Sequence, residues 1–81
     1  MRELLVFSAS WCGPCRQLKP NVEQASTQIN VKTFDVDNDG GLSNTYSVRS
    51  VPTLILVENG VELKRTVGVK TVDQIVEFYN Q

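Results

Sequence analysis

A chain of 81 residues has room for one modest core, so residues 1–81 are expected to form a single domain. Eight basic and nine acidic side chains leave a net charge of −1, which gives no reason to expect nucleic acid or an anionic membrane as a partner. Histidine is absent and there are only two cysteines, so a Cys-His protease is excluded and most zinc sites are implausible; the pair could supply only half of a thiolate metal site, and no resident metal or cofactor is expected.

The first segment, Met1 to Ser10, has an early arginine, an apolar stretch and small residues after it. That faintly mimics a secretory signal, but the apolar stretch Leu4 to Phe7 falls well short of the roughly 7–15 residues such a signal needs. Glu3 to Ser8 reads instead as a strand buried on both faces. The apolar runs Leu4 to Phe7 and Leu54 to Val57 are too short to span a bilayer. With no export signal visible, a cytoplasmic location is the expectation. In that reducing compartment a cysteine pair is more often catalytic or metal-binding than a structural staple.

Trp11-Cys12-Gly13-Pro14-Cys15 follows, and Cys12 and Cys15 are the two cysteines of the chain. Thiols at this spacing can close a small disulfide ring and open it again. A helix is expected from about Pro14 to Ile29. Its apolar positions Cys15, Leu18, Val22, Ala25 and Ile29 step by three or four and form one stripe. Pro14 suits the first turn. Pro20, inside the helix, should bend it. Cys12 would then lie just before the helix, where unpaired amides favour a thiolate. Cys15 would lie in the buried stripe, protonated until needed. The expected chemistry is attack by Cys12 on a substrate disulfide, then attack by Cys15 on Cys12 to release reduced product. The bland alternative is a plain buried cysteine pair on a helix end.

Val31 to Val36 reads as a second strand, Asp37 to Gly41 as a loop and Leu42 to Tyr46 as at most a short helix. Asp35 to Gly40 copies the first half of an EF-hand loop. Its twelfth position would be Tyr46 rather than glutamate, so a solvated acidic turn is the favoured reading. Thr53 to Glu58 is a third strand, Asn59-Gly60 a hairpin turn, and Val61 to Val67 a fourth strand. Thr71 with Gln74 forms a capping box for a last helix that buries Val72, Ile75, Val76 and Tyr79. The order β-α-β-α-β-β-α predicts an α/β fold, a four-stranded mixed sheet with helices on both faces.

The Trp11–Cys15 motif resembles the active site of the thioredoxin family. Further matches come in the family's order: Pro20, Phe34 to Asp37, Tyr46 to Thr53, Asn59-Gly60 and Val67-Gly68. They cover essentially the whole chain and imply a minimal thioredoxin fold. The resemblance implies that Cys12 and Cys15 are catalytic and that Gly13 and Pro14 tune their redox behaviour. It implies that Pro52 is a cis proline facing the disulfide, where an ordinary trans proline at a strand start is the alternative. It also implies that Val51 offers backbone hydrogen bonds to a bound substrate strand, with Trp11, Val36, Ser50, Val67 and Gly68 completing an apolar groove. A helix N-terminus and a Cys-x-x-Cys context lower a thiol pKa from about 8.5 towards about 7, a magnitude taken from this same family. Nucleophilicity falls with pKa, so the larger benefit goes to Cys12 as a leaving group. Arg16, Lys19 and Arg49 either ring the site for an acidic partner or form a solvated face.

The implied activity is reduction of protein disulfides by a monomer, with no added cofactor beyond the cysteine pair. Electrons would come from a flavin- and NADPH-dependent thioredoxin reductase, and the clients would be disulfide-bearing proteins such as ribonucleotide reductase. Two alternatives remain open here, a glutathione-dependent glutaredoxin-like enzyme and a non-catalytic docking module. An oxidase is disfavoured, because strongly oxidising relatives carry a histidine between the cysteines. The chain departs from the family in three ways. The usual first strand and helix are missing, giving a glutaredoxin-sized version. The first helix and its loop are about one turn shorter. Val6 stands where the family has a buried aspartate, with Thr33 in place of the accompanying lysine.

Overall fold

The computed structural model describes residues 1–38 and 40–81. In chain order these residues form β1 (Arg2–Ser8), α1 (Gly13–Ala25), β2 (Val31–Asp35), α2 (Gly40–Thr45), β3 (Thr53–Glu58), β4 (Val61–Val67) and α3 (Val72–Asn80). The strands make one sheet in the order β2-β1-β3-β4. β1 runs parallel to β2 and antiparallel to β3, and β4 returns antiparallel to β3. This is the α/β architecture the element order predicts.

Alternation along the two central strands divides the core between the faces. Leu4, Val6, Leu54 and Leu56 point to one face, where Leu18, Val22 and Ala25 of α1 and Ile75 of α3 cover them. Leu5, Phe7, Ile55 and Val57 point to the other, beneath Phe34, Leu42, Tyr46 and Val48. Phe7 stacks on Phe34 with ring centroids 5.3 Å apart. Each fully buried Leu, Ile or Phe side chain contributes roughly 1.5–3 kcal/mol, so these two small clusters are the main stabilising resource of a short chain. Among the described residues no helix is long and apolar enough to cross a membrane.

The turns follow the sequence closely. Asn59 and Gly60 adopt φ values of 52° and 82°, as the hairpin dipeptide requires. Thr71 and Gln74 form the reciprocal capping box, with Gln74 N donating to Thr71 Oγ1 at 3.1 Å and Thr71 N donating to Gln74 Oε1 at 2.9 Å.

Several boundaries differ from the sequence reading, and β1 begins one residue earlier, at Arg2. α1 stops at Ala25 instead of Ile29. There Ser26 Oγ donates to Glu23 O and Thr27 Oγ1 to Gln24 O, and these local bonds favour turns over another helical turn. Ile29 is nevertheless buried in the same core. β2 stops at Asp35 because Asp37 N donates to Asp35 Oδ1 at 2.9 Å, which bends the chain into an Asx-type turn. α2 begins at Gly40 and ends at Thr45, before Ser47 at a φ of 53°. Asp39, which belongs to the EF-hand-like stretch and to the predicted loop, lies outside the described residues.

Candidate functional site

β1 delivers the chain to the head of α1, and the two cysteines straddle that junction. Cys12 is the N-cap of α1, with φ −90° and ψ 113°. Its Sγ accepts the backbone N–H of Cys15 at 3.2 Å. Pro14 is in the first turn and has no N–H to satisfy. The cap that Ser or Asp usually supplies is here made by a sulfur. Cys12 and Cys15 are joined in a disulfide, with Cα atoms 5.3 Å apart, inside the normal range.

Both cysteines are buried, Cys12 at 5% exposure and Cys15 at 7%. Total exposure therefore does not distinguish them. Their environments do: Cys12 Sγ receives a helix-cap N–H, and Cys15 continues into the stripe of Leu18, Val22 and Ala25. Both pack with Ala9 against Val36 and Val51.

Most of the residues assigned to the groove converge here. The Val51–Pro52 peptide is cis. Val51 O lies 3.7 Å from Cys12 Sγ. Gly68, at φ 102°, donates its N–H to Pro52 O at 3.0 Å, and Val67 pairs with Thr53 across the sheet. Val36 leaves β2 with its N–H bonded to Ser8 O, at the foot of the cysteine turn. Ser50 accepts the Thr53 hydroxyl through its carbonyl. Trp11 is 67% exposed and Val67 49%, which leaves apolar surface on the rim of a buried disulfide.

Two rim features escape the sequence reading. Trp11 Nε1 donates to Asp37 Oδ2 at 3.0 Å, so the indole is tethered across the site by the turn after β2. Val69 adds further exposed apolar surface beside Gly68, and Lys70 Nζ ties that loop back to Val67 O at 2.9 Å. The tryptophan-aspartate pair spans 26 residues, and no local pattern announces it. Of the basic residues, Arg16 donates through Nη2 to Ser10 O at 3.2 Å, bracing the turn that carries Trp11 and Cys12.

Behind Cys15, on the side away from Val51 and Pro52, a cleft of about 420 Å³ separates α1 from the β1–β2 edge. Val6 and Thr33 are in its walls, together with the small side chains Ser8, Ala9 and Ser10. Among the described residues no group of three or more His, Cys, Asp or Glu side chains is placed to hold a metal ion.

Comparison with known proteins gives a consistent picture. A family model described as Thioredoxin matches residues 2–81. A thioredoxin of Chlamydia trachomatis is 36% identical over 81 residues, spanning 96% of this chain and 79% of the relative. One of Mycoplasma genitalium is 34% identical over 77 residues, spanning 91% and 76%. Among solved structures, a mutant thioredoxin from Halobacterium salinarum superposes with a TM-score of 0.90 at 37% identity, covering 98% of this chain and 72% of that one. The Fasciola hepatica thioredoxin gives 0.89 at 29% identity, covering 98% and 78%.

Proposed function

As a member of the thioredoxin family, to which the chain belongs, the protein is a thiol–disulfide oxidoreductase with protein-disulfide reductase activity, and we propose that Cys12 is its attacking sulfur and Cys15 its resolving one. In the dithiol form, the Cys12 thiolate attacks one sulfur of a client disulfide. The client's S–S bond breaks, and one client sulfur leaves as a thiolate that takes up a proton. A mixed disulfide now joins Cys12 to the client. Cys15 loses its proton and attacks Cys12 Sγ. The mixed disulfide breaks, the second client thiol is released, and the Cys12–Cys15 disulfide remains. Two electrons have passed to the client.

The observation that carries this assignment is the N–H of Cys15 donating to Cys12 Sγ. A donor aimed at a sulfur stabilises that sulfur as an anion, and helix N-terminal amides add to the effect. The stabilised sulfur is the ready nucleophile for the client disulfide, and in the second step it is the sulfur that Cys15 attacks while the client sulfur leaves.

The groove supports the client side of the reading. Val51 presents its backbone beside Cys12 Sγ, and an extended client segment would align with it in the manner of an added strand. Trp11, Val36, Ser50, Pro52, Val67 and Gly68 would contact that segment, while Gly13 and Pro14 set the tightness of the disulfide turn. The clients on this reading are disulfide-bearing proteins such as ribonucleotide reductase. The electron source is a flavin- and NADPH-dependent thioredoxin reductase. The protein would act as a single-domain monomer in the cytoplasm, where its disulfide is continually re-reduced.

The test is insulin reduction coupled to NADPH and a thioredoxin reductase, compared with glutathione as the donor. Turnover with the flavoenzyme and none in Cys12→Ser is the expected result. Retained client binding with no turnover in the unmodified protein would make the chain a docking module instead.

A further inference from the structure

Resolution requires a proton to leave Cys15, and the thiol is buried in an apolar stripe where ionisation is costly. The apolar side chains packed with it are Ala9, Cys12, Val36 and Val51, none of which accepts a proton from it in a mixed disulfide. The cleft behind Cys15 reaches the same residue from the back, and its walls include Cys15 but not Cys12, Val51 or Pro52. At about 420 Å³ it has room for several waters, and Ser8, Ser10 and Thr33 supply polar partners along it.

Two carboxylates line the cleft, Asp35 and Glu23. Glu23 is two helical turns beyond Cys15, roughly 12 Å along the axis of α1. Asp35 pairs with Ser8 in the β1–β2 ladder, and Thr33 pairs with Val6 on the same face. Val6 faces α1, so Asp35 shares that face, next to the strand end that feeds the cysteine turn. One of its oxygens, Oδ1, accepts Asp37 N, and a carboxylate retains further lone pairs for water. Arg16 and Lys19 from α1 also line the cleft, and their charge favours anions within it. Asp37, the next acidic residue, is engaged with Trp11 on the groove side.

We propose that Asp35 is the proton acceptor for Cys15, working through water held in this cleft. The inference rests on the resolving role given to Cys15 above. When the mixed disulfide forms, the Cys15 S–H proton passes through water to the Asp35 carboxylate. The Cys15 thiolate bonds to Cys12 Sγ, the bond from Cys12 to the client sulfur breaks, and the client thiolate leaves and takes up a proton. Asp35 then returns its proton to solvent. Asp35 thus acts at a distance as a positioned base, and the small residues at 8, 9 and 10 keep its route to Cys15 open.

The experiment mixes the reduced protein with one equivalent of 5,5′-dithiobis(2-nitrobenzoate) in a stopped-flow instrument. Attack by Cys12 releases one coloured 5-thio-2-nitrobenzoate anion, and attack by Cys15 releases the second, so the two steps separate in time. Asp35→Asn keeps an oxygen for Asp37 N but removes the base. It is expected to slow the second phase roughly 10–100-fold at mildly acidic pH, the low end for a positioned base because water alone can accept a thiol proton. The first phase should change less than about twofold, and the variants should converge at alkaline pH, where Cys15 ionises unaided. Asp35→Glu should restore part of the rate. Ser8→Leu, which fills the cleft while leaving Asp35 in place, should also slow the second phase.

An Asp35→Asn second phase as fast as the unmodified one across the pH range would overturn the proposal, as would the loss appearing in Glu23→Gln instead. Absence of any second release from the unmodified protein would be a different failure, that of the dithiol mechanism itself.

Discussion

Cys15 is tied to Cys12 twice, once through the disulfide and once through its own backbone N–H, which donates to Cys12 Sγ at 3.2 Å. On the assignment proposed above, the second link persists in the reduced protein as a helix cap. A donor aimed at Cys12 alone would make the two thiols chemically unequal although both are buried. After reduction, iodoacetamide at neutral pH should therefore alkylate Cys12 faster than Cys15 by about tenfold or more, because the thiolate is the reactive form. Cys12→Ser should abolish insulin reduction. Cys15→Ser should leave one attack intact and accumulate a covalent client adduct visible on a non-reducing gel. Equal alkylation of the two positions would contradict the assignment.

Val6 packs against apolar side chains on α1 and β3, and it also lines the cleft that holds Thr33 and Lys19. It is 2% exposed, pairs with Leu54 across the sheet and with Thr33 on β2, and packs in the core that holds Leu18 and Val22. Val6→Asp should cost about 2–4 kcal/mol, the penalty for placing an uncompensated polar group in such a site. For a chain of this size each kcal/mol lowers Tm by roughly 4–8 °C. Burial raises a carboxyl pKa, so the penalty should shrink as pH falls and the introduced acid becomes neutral. Calorimetry at neutral and acid pH checks both parts. An unchanged Tm at neutral pH would show that the cleft beside residue 6 solvates a charge there.

Trp11 owes its place on the rim to Asp37, which accepts its indole N–H at 3.0 Å. Asp37→Ala removes that tether and leaves the cysteines untouched. An exposed hydrogen bond to a charged group is worth about 1 kcal/mol, so KM for a protein disulfide should rise roughly fivefold. Turnover of a small disulfide such as hydroxyethyl disulfide, which does not span the groove, should stay within about twofold. An equal loss on both substrates would place Asp37 in the chemistry rather than in docking.

The sequence revealed those parts whose cause is local. The α1 stripe is legible because Cys15, Leu18, Val22 and Ala25 repeat at the helical period, and the final helix is legible because Thr71 and Gln74 cap each other. The end of α1 was missed because two hydroxyls, on Ser26 and Thr27, outweigh the continued apolar spacing at Ile29. Val36 and Val51 pack together on the two cysteines, and only the family resemblance could gather them before the fold was known. The cleft behind Cys15 had a faint signal in the run Ser8-Ala9-Ser10. That run leaves space only because α1 packs above it, which the strand pattern alone does not disclose.

A bulge places one ion pair where ordinary strand alternation would forbid it. In a regular strand, residues three apart face opposite sides, yet Glu62 and Arg65 lie on the same face of β4. The ladder shifts between Leu56 and Val57, so Ile55 faces Arg65 while Val57 faces Glu62. The extra residue restores the alignment. Both Arg65 Nε and Nη2 then donate to the Glu62 carboxylate at 2.6 Å, and Nη2 also donates to Tyr46 O at 2.8 Å. The bidentate hydrogen bond from Arg65 is the main cause that holds the Glu62 pKa below its usual value, with the nearby positive charge adding to it and partial burial opposing it. A carboxyl with a lowered folded pKa stabilises the protein above its unfolded pKa of about 4.3, and the contribution is lost as pH falls through the folded value. The pair is partly exposed, so Glu62→Gln should cost no more than about 1 kcal/mol at pH 7, less in high salt, and nothing near pH 2. Arg65→Ala should cost more at every pH, because it also releases the Tyr46 carbonyl that fastens β4 to the end of α2. Urea titrations of the two variants at both pH values decide this. A Glu62→Gln penalty that persists undiminished in acid would mean the carboxylate's charge is not what stabilises the bulged strand.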